Sequence, residues 1–245
     1  MCSSDLVSAY FILPESLKQE NRVRRPLFDL GHISEAVARP KLRPLMIVWA
    51  LTPIAFAGYT VALPLHASRV LGWTERELAI LFTIIGVTAA TVQGYLFGKI
   101  ARRTGERALV IAGTVGMAVS IAIVPYLPSS ALLYGWTFVL AFANSIFAPA
   151  ATGLVSVYAD PTEQGTVLGA AQAIAALGRT AGPPLIGTIY DVVNRDAAFL
   201  VAGAIMALAG VAALRLAPAR HGEPGHVPAG PPIPFVPPPL PPPEP

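Results

Sequence analysis

Long intervals without a single charged side chain constrain this 245-residue chain more than any other feature of its sequence. A charge at the centre of a bilayer costs about 2.5–3.5 kcal/mol on insertion scales, so such intervals mark helices that cross a membrane. The charge-free intervals are 44–68, 78–98, 108–159 and 197–214, and 164–190 joins them because Arg179 alone interrupts it. About 20 apolar residues cross a bilayer as a helix, and turn residues divide the longest interval in two. The sequence therefore predicts an all-α membrane protein with a bundle of six transmembrane helices.

Composition argues against several other classes of protein. Hydrophobic residues make up 54% of the chain and charged residues 13%, about half the charged share of a soluble domain. The single cysteine, Cys2, excludes an internal disulfide, and the four histidines lack the spacing of metal ligands, so neither a metal nor a cofactor is expected. No G-x-S-x-G or other nucleophile motif occurs, and no catalytic residue or enzyme activity is predicted. The basic residues lie in short loops, where membrane orientation explains them better than nucleic-acid binding.

The distribution of the 17 lysines and arginines predicts the orientation of the chain. Most of them precede the first span, follow the second span or lie in the tail, whereas Arg69, Arg76 and Arg195 lie on the other side. Cytoplasmic loops carry the excess of basic residues in membrane proteins. Both termini are therefore expected in the cytoplasm, and the expected location is the plasma (inner) membrane.

Four segments are expected along the chain. Residues 1–13 contain an apolar stretch that is about 12 Å long as a helix, too short to span a bilayer. We interpret it as the remnant of a preceding transmembrane helix, with a frayed amphipathic start as the alternative. Residues 14–44 are predicted to form a cytoplasmic central loop and residues 45–217 the six-helix domain. Residues 218–245 are rich in proline and predict a disordered cytoplasmic tail.

Glycine and proline positions carry further predictions about the spans. Gly165 and Gly169, like Gly178 and Gly182, lie one helical turn apart, which permits close helix packing in lipid. Prolines occur inside the predicted spans at positions 53, 64, 149, 183 and 184. Each removes a helix hydrogen bond, so each predicts a kink.

The loop after the second span resembles a motif of a known family. It reads GKIARRTGER from Gly98 to Arg107, and its two glycines suit a tight reversal because glycine tolerates positive φ and close helix approach. The loop is similar to the G-x-L-a-D-r-x-G-r-R motif of the major facilitator superfamily, in the copy between helices eight and nine. Gly98, Gly105 and Arg107 match that motif, whereas Arg102 stands where Asp is usual.

Two further stretches carry the same resemblance. Residues 11–17, FILPESL, are similar to the end of helix six in drug:proton antiporters of that superfamily. Residues 177–191 are similar to their helix eleven, a glycine-rich helix in which Gly178, Gly182 and Pro183 form a helix-break motif. The resemblance implies the C-terminal half of a twelve-helix transporter: the end of helix six, the central loop and helices seven to twelve.

The resemblance also implies a function. Multidrug and tetracycline efflux proteins of this type export drug-like compounds by alternating access coupled to protons, and a missing N-terminal half would supply the other wall of the path. Two alternatives stay open: a six-helix half-transporter that works as a homodimer with a second copy, and a membrane scaffold without transport. Every acidic residue lies in a loop, a span end or a tail. A titrating carboxylate for proton coupling must therefore belong to the other half or be absent.

Few polar side chains lie deep in the predicted spans. They are Thr52, Tyr59, Gln93, Asn144, Gln172 and Arg179. The resemblance implies that their helices border the central path, and each of them either contacts substrate or forms an interhelical hydrogen bond. Arg179 is either an anion or substrate contact or a structural cation that bonds carbonyls or headgroups. A path so poor in hydrogen-bonding groups favours amphiphilic, drug-like molecules over sugars.

Overall fold

The computed structural model describes residues 39–159 and 163–217. The predicted helix remnant at 1–13, most of the predicted central loop and the predicted tail at 218–245 lie outside the described residues. The described parts contain helices and turns but no strand. In chain order the helices are α1 (Arg43–Leu71), α2 (Glu75–Thr91), α3 (Phe97–Thr104), α4 (Glu106–Ile123), α5 (Ser130–Tyr158), α6 (Gln164–Val192) and α7 (Arg195–Leu214). A π-helical segment, Val92–Leu96, joins α2 to α3, and a 3₁₀ turn, Val124–Tyr126, follows α4.

These seven helices form the six-helix bundle that the charge-free intervals predict. The count is six because α2, the π-helical segment and α3 together make one continuous helical span, Glu75–Thr104. In the described ranges, five segments are long and apolar enough to cross a membrane by length and composition. They are Arg43–Leu71, Glu75–Thr104, Glu106–Tyr126, Ser130–Tyr158 and Arg195–Leu214. Helix α6 has 29 residues and is about 43 Å long, but its glycine, glutamine, threonine and arginine residues lower its hydropathy below that of the other five.

Contacts between the termini of the helices distinguish the two ends of the bundle. We call the first the basic end. There, Arg39 forms an ion pair with Glu163, and Arg107 at the start of α4 lies against the end of α7. At the second, the far end, the indole N–H of Trp73 donates to the hydroxyl of Ser130 at 2.8 Å. The helices run alternately between these two ends.

Glycines set the distance between α1 and α6. A Cβ on Gly182 would collide with the carbonyl oxygen of Ile54, and a Cβ on Gly178 would lie 3.0 Å from the carbonyl oxygen of Ala50. The close packing predicted from Gly178 and Gly182 is confirmed. Gly165 and Gly169 have no atom within 4 Å of such a Cβ, so among the described residues they pack against nothing.

The prolines inside the spans do not end their helices. Helix α1 continues through Pro53 and Pro64, and α6 continues through Pro183 and Pro184. Each proline lacks the N–H that would bond to the carbonyl four residues earlier. The predicted break at Pro183 is therefore the loss of one backbone hydrogen bond inside a continuous helix.

Candidate functional site

A pocket of about 380 Å³ opens between α1, α5 and α6. Its lining combines an aromatic wall, small side chains and a few polar groups: Trp49, Thr52, Pro53, Phe56, Ala57 and Thr60 from α1, Asn144, Phe147 and Ala148 from α5, and Arg179 from α6. Three of the candidates taken from the sequence, Thr52, Asn144 and Arg179, therefore meet around one space.

The helical repeat explains which residues of α1 reach the pocket. Side chains three or four positions apart lie on one face of a helix, and Trp49, Thr52, Phe56 and Thr60 follow that spacing. The same spacing places Asn144 and Ala148 together on α5. Helix α6 contributes Arg179 because the glycines on either side of it hold α6 against α1.

Two polar atoms at the pocket wall are buried without a hydrogen-bond partner in the described structure. They are the indole Nε1 of Trp49 and the hydroxyl of Thr52, whose residue is 4% exposed. An unsatisfied buried polar group costs about 1–3 kcal/mol. Because both atoms are buried, a ligand would recover part of that cost only where a small movement of the wall exposes one of them.

Arg179 is the charged residue among those that line the pocket. It lies near the middle of α6, its side chain is exposed, and no carboxylate of the described residues pairs with it. A guanidinium offers a planar set of donors that suits a carboxylate. With Trp49, Phe56 and Phe147 beside it, the pocket can hold a molecule that has an apolar body and a negative group.

The other deep polar candidates lie elsewhere. Tyr59 is 2% exposed and packs edge-on against Phe199 of α7, with ring centroids 6.2 Å apart. Gln93 is exposed on the π-helical segment, away from the pocket lining. Gln172 is exposed on the same face of α6 as Arg179, two turns closer to the basic end.

The loop motif shapes the basic end and does not reach the pocket. Gly105 joins α3 to α4 with a φ of +78°, which is the positive φ that glycine tolerates. Gly98 lies within α3 with open space around its Cα, so neither a turn nor close packing requires glycine there. Arg102 is exposed in the last turn of α3. Arg107 donates from Nη2 to the carbonyl oxygen of Leu214 at 3.1 Å and so ties α4 to α7.

Two aromatic residues of the pocket wall, Trp49 and Phe147, were not predicted from the sequence. Trp49 resembles an interfacial aromatic residue when only its position near a span end is considered, and Phe147 lies in a run of apolar residues. The signal that could have found Trp49 is its position three residues before Thr52 on α1. Among the described residues, no group of three His, Cys, Asp or Glu side chains is arranged to hold a metal ion.

Comparisons with known proteins give matches to a single superfamily. A sequence model of the Major Facilitator Superfamily matches residues 10–241. The chain is 28% identical over 236 residues to major facilitator superfamily domain-containing protein 10 of Mus musculus, which covers 84% of this chain and 49% of that protein. It is 28% identical over 212 residues to multidrug resistance protein 2 of Bacillus subtilis, with 82% and 50% covered.

The fold is similar to that in the crystal structure of the human organic anion transporter MFSD10 (TETRAN). The TM-score is 0.73 at 24% identity, and the match covers 86% of this chain and 54% of that one. The chain thus spans about half the length of the curated relatives it matches.

Proposed function

Because the chain belongs to the major facilitator superfamily, we propose that it supplies helices seven to twelve of an alternating-access transporter. It is an integral membrane protein of a transport family. In this proposal an N-terminal half of six further helices forms the opposite wall of the path, and the two halves rock about a site near the midplane. The pocket between α1, α5 and α6 is this chain's share of that site.

Two surfaces of the bundle support the proposal that it pairs with another half. Helix α6 exposes Gln172 and Arg179, which lipid solvates poorly. It also exposes Gly165 and Gly169, where another helix can approach closely. The segment Glu75–Thr104 buries only 17% of its most apolar window, against 44% or more in the other four apolar spans. Both surfaces are suited to contact with a second bundle.

We further propose that the cargo is an amphiphilic, drug-like molecule with a negative group. The observation that carries this proposal is the Arg179 guanidinium, without an ion-pair partner among the described residues, beside an aromatic wall. The unpaired groups of Trp49 and Thr52 add hydrogen-bonding positions. The names of the relatives agree: one is called a multidrug resistance protein, and the human protein of similar fold is called an organic anion transporter.

Export coupled to protons completes the proposal. It follows from the resemblance of residues 11–17 and 177–191 to drug:proton antiporters. In the described parts of the chain the carboxylates lie at or near helix ends: Glu75, Glu77, Glu106, Glu163, Asp191 and Asp196. The proposal therefore assigns the titrating carboxylate to the N-terminal half.

The test uses membrane vesicles that contain the chain together with the N-terminal half that the proposal requires, and vesicles that contain the chain alone. Transport of an anionic amphiphilic dye and of a cationic dye of similar size is followed by fluorescence, with and without a protonophore. We expect transport of the anionic dye by the paired halves, loss of transport with the protonophore, and a loss of about tenfold or more in Arg179→Gln.

Arg179→Lys, which keeps the charge and loses the planar donor set, should retain part of the transport. Equal transport by wild type and Arg179→Gln would contradict the assigned cargo. Full transport by the chain alone would instead favour a homodimer with a second copy.

A further inference from the structure

A second opening lies between the start of α1 and the end of α7 and has a volume of about 560 Å³. We call it the α1–α7 groove. Its walls include Arg43, Ile47 and Leu51 from α1 and Leu208, Val211 and Arg215 from α7 and its C-terminal end. It combines two cations with an apolar surface at the basic end of the bundle.

The groove faces away from the candidate transport pocket. Successive residues of a helix are rotated by about 100°, so Ile47 and Leu51 lie on the side of α1 opposite to Trp49 and Phe56. Since Trp49 and Phe56 line the pocket, the groove opens on the outer side of the bundle. That side is in contact with lipid in an integral membrane protein.

The two arginines lie at one end of the groove. Arg43 and Arg215 are both exposed, and neither forms an ion pair with another described residue. Arg43 is eight residues from Leu51 along α1, and Arg215 is seven residues from Leu208. The groove therefore extends about 10–12 Å from its charged mouth toward the membrane centre.

The walls below the arginines are apolar and open. Ile47 is 38% exposed, Leu208 58% and Val211 50%. Among the described residues, no acidic side chain lines the groove. A ligand that fits it must present a negative group at the mouth and an apolar chain below.

We propose that the α1–α7 groove binds one anionic phospholipid from the leaflet at the basic end. The phosphate lies between Arg43 and Arg215, because guanidinium groups bind phosphate in a bidentate manner. One acyl chain lies along the apolar walls, and the headgroup brings no cation of its own to oppose the two arginines. Basic pockets between helices on the cytoplasmic side are a recurrent site for anionic headgroups.

The bound lipid would also support the transport pocket. It bridges α1 and α7 at the basic end, and α1 carries the aromatic wall of the pocket on its other face. This role does not depend on which molecule is transported.

The test is made on the 245-residue chain in lipid nanodiscs and in detergent, with native mass spectrometry to count bound lipids. Phosphatidylglycerol is compared with phosphatidylcholine of the same acyl chains. We expect one phosphatidylglycerol bound in preference to phosphatidylcholine by about 30-fold, since each arginine near an anionic lipid contributes about fivefold.

The double variant Arg43→Gln/Arg215→Gln should lose this preference, and Arg43→Lys/Arg215→Lys should keep most of it. Arg103→Gln is the matched control, because Arg103 is an exposed cation of the basic end outside the groove, and its preference should equal that of wild type. Leu208→Trp, which fills the groove and leaves the arginines in place, should reduce binding of the phospholipid. Circular dichroism selects variants that keep the helical content of wild type.

Four results would overturn the proposal. The first is equal binding of the two lipids to wild type. The second is an unchanged preference in a folded Arg43→Gln/Arg215→Gln variant. The third is displacement of the lipid by millimolar inorganic phosphate, which would indicate a site for a small anion. A crosslink from the chain before residue 39 to Leu208 that persists at saturating phosphatidylglycerol would likewise show that protein, not lipid, occupies the groove.

Discussion

Replacement of Gly182 by alanine tests the packing that positions the candidate pocket. The added Cβ would collide with the carbonyl oxygen of Ile54 and would lie 3.1 Å from the backbone nitrogen of Gly58. Both neighbours are backbone atoms of α1, so the clash is relieved only if α1 and α6 move apart. Overpacking of this kind costs about 1–3 kcal/mol, and alanine recovers about 0.5–1 kcal/mol through its helix propensity. We expect a net destabilisation of up to about 2 kcal/mol.

Gly187→Ala is the matched control for Gly182→Ala. Gly187 lies in the same helix, and a Cβ there meets no atom within 4 Å, so this variant should be as stable as wild type or more stable. Unfolding is followed by circular dichroism in detergent. Gly182→Ala should also bind an anionic amphiphile more weakly, because Arg179 lies one turn from Gly182 and moves with α6. A Gly182→Ala protein as stable as Gly187→Ala would refute the reasoning.

Two further variants test the basic end and the pocket wall. Arg107→Gln removes the 3.1 Å hydrogen bond to the Leu214 carbonyl and, because the arginine is only half-buried, should lower stability by about 1 kcal/mol in the same unfolding assay. Thr52→Val removes a buried hydroxyl without a partner and should keep or raise stability. The affinity of the Thr52→Val protein for an anionic amphiphile should fall in a fluorescence titration, and an unchanged affinity would show that this hydroxyl does not bind the ligand.

The long helices were predictable from the sequence because the cost of a buried charge is large and local. A stretch without charged residues identifies a span without knowledge of its neighbours. The spacing of Gly178 and Gly182 likewise predicted close packing. The same spacing at Gly165 and Gly169 predicted packing that is absent among the described residues, because the pattern does not tell which face of a helix meets a neighbour.

The pocket was predictable only in part. Thr52 and Tyr59 are seven residues apart and so lie on one face of α1, yet Thr52 lines the pocket and Tyr59 is covered by Phe199 of α7. Which side chains of a helix face remain accessible depends on where another helix packs across that face. The sequence of a single helix does not give the position of its neighbours. Trp49 was missed for the related reason that an aromatic residue near a span end suits both a membrane interface and a pocket wall.

Access of water to the pocket between α1, α5 and α6 tests most directly whether this pocket forms part of a transport path. Cys2 is the single cysteine of the chain, so Cys2→Ser gives a background in which one new thiol is probed at a time. Ala148 is exposed in the pocket, and Ala204 is exposed near the middle of α7, on the face that continues to Leu208.

The measurement is the rate at which a membrane-impermeant, water-soluble thiol reagent labels Ala148→Cys and Ala204→Cys in membranes. We expect rapid labelling of Ala148→Cys that an anionic amphiphile slows, and little labelling of Ala204→Cys. Equal labelling at both positions, or labelling of Ala148→Cys that no amphiphile slows, would contradict the proposal that this pocket forms part of a transport path.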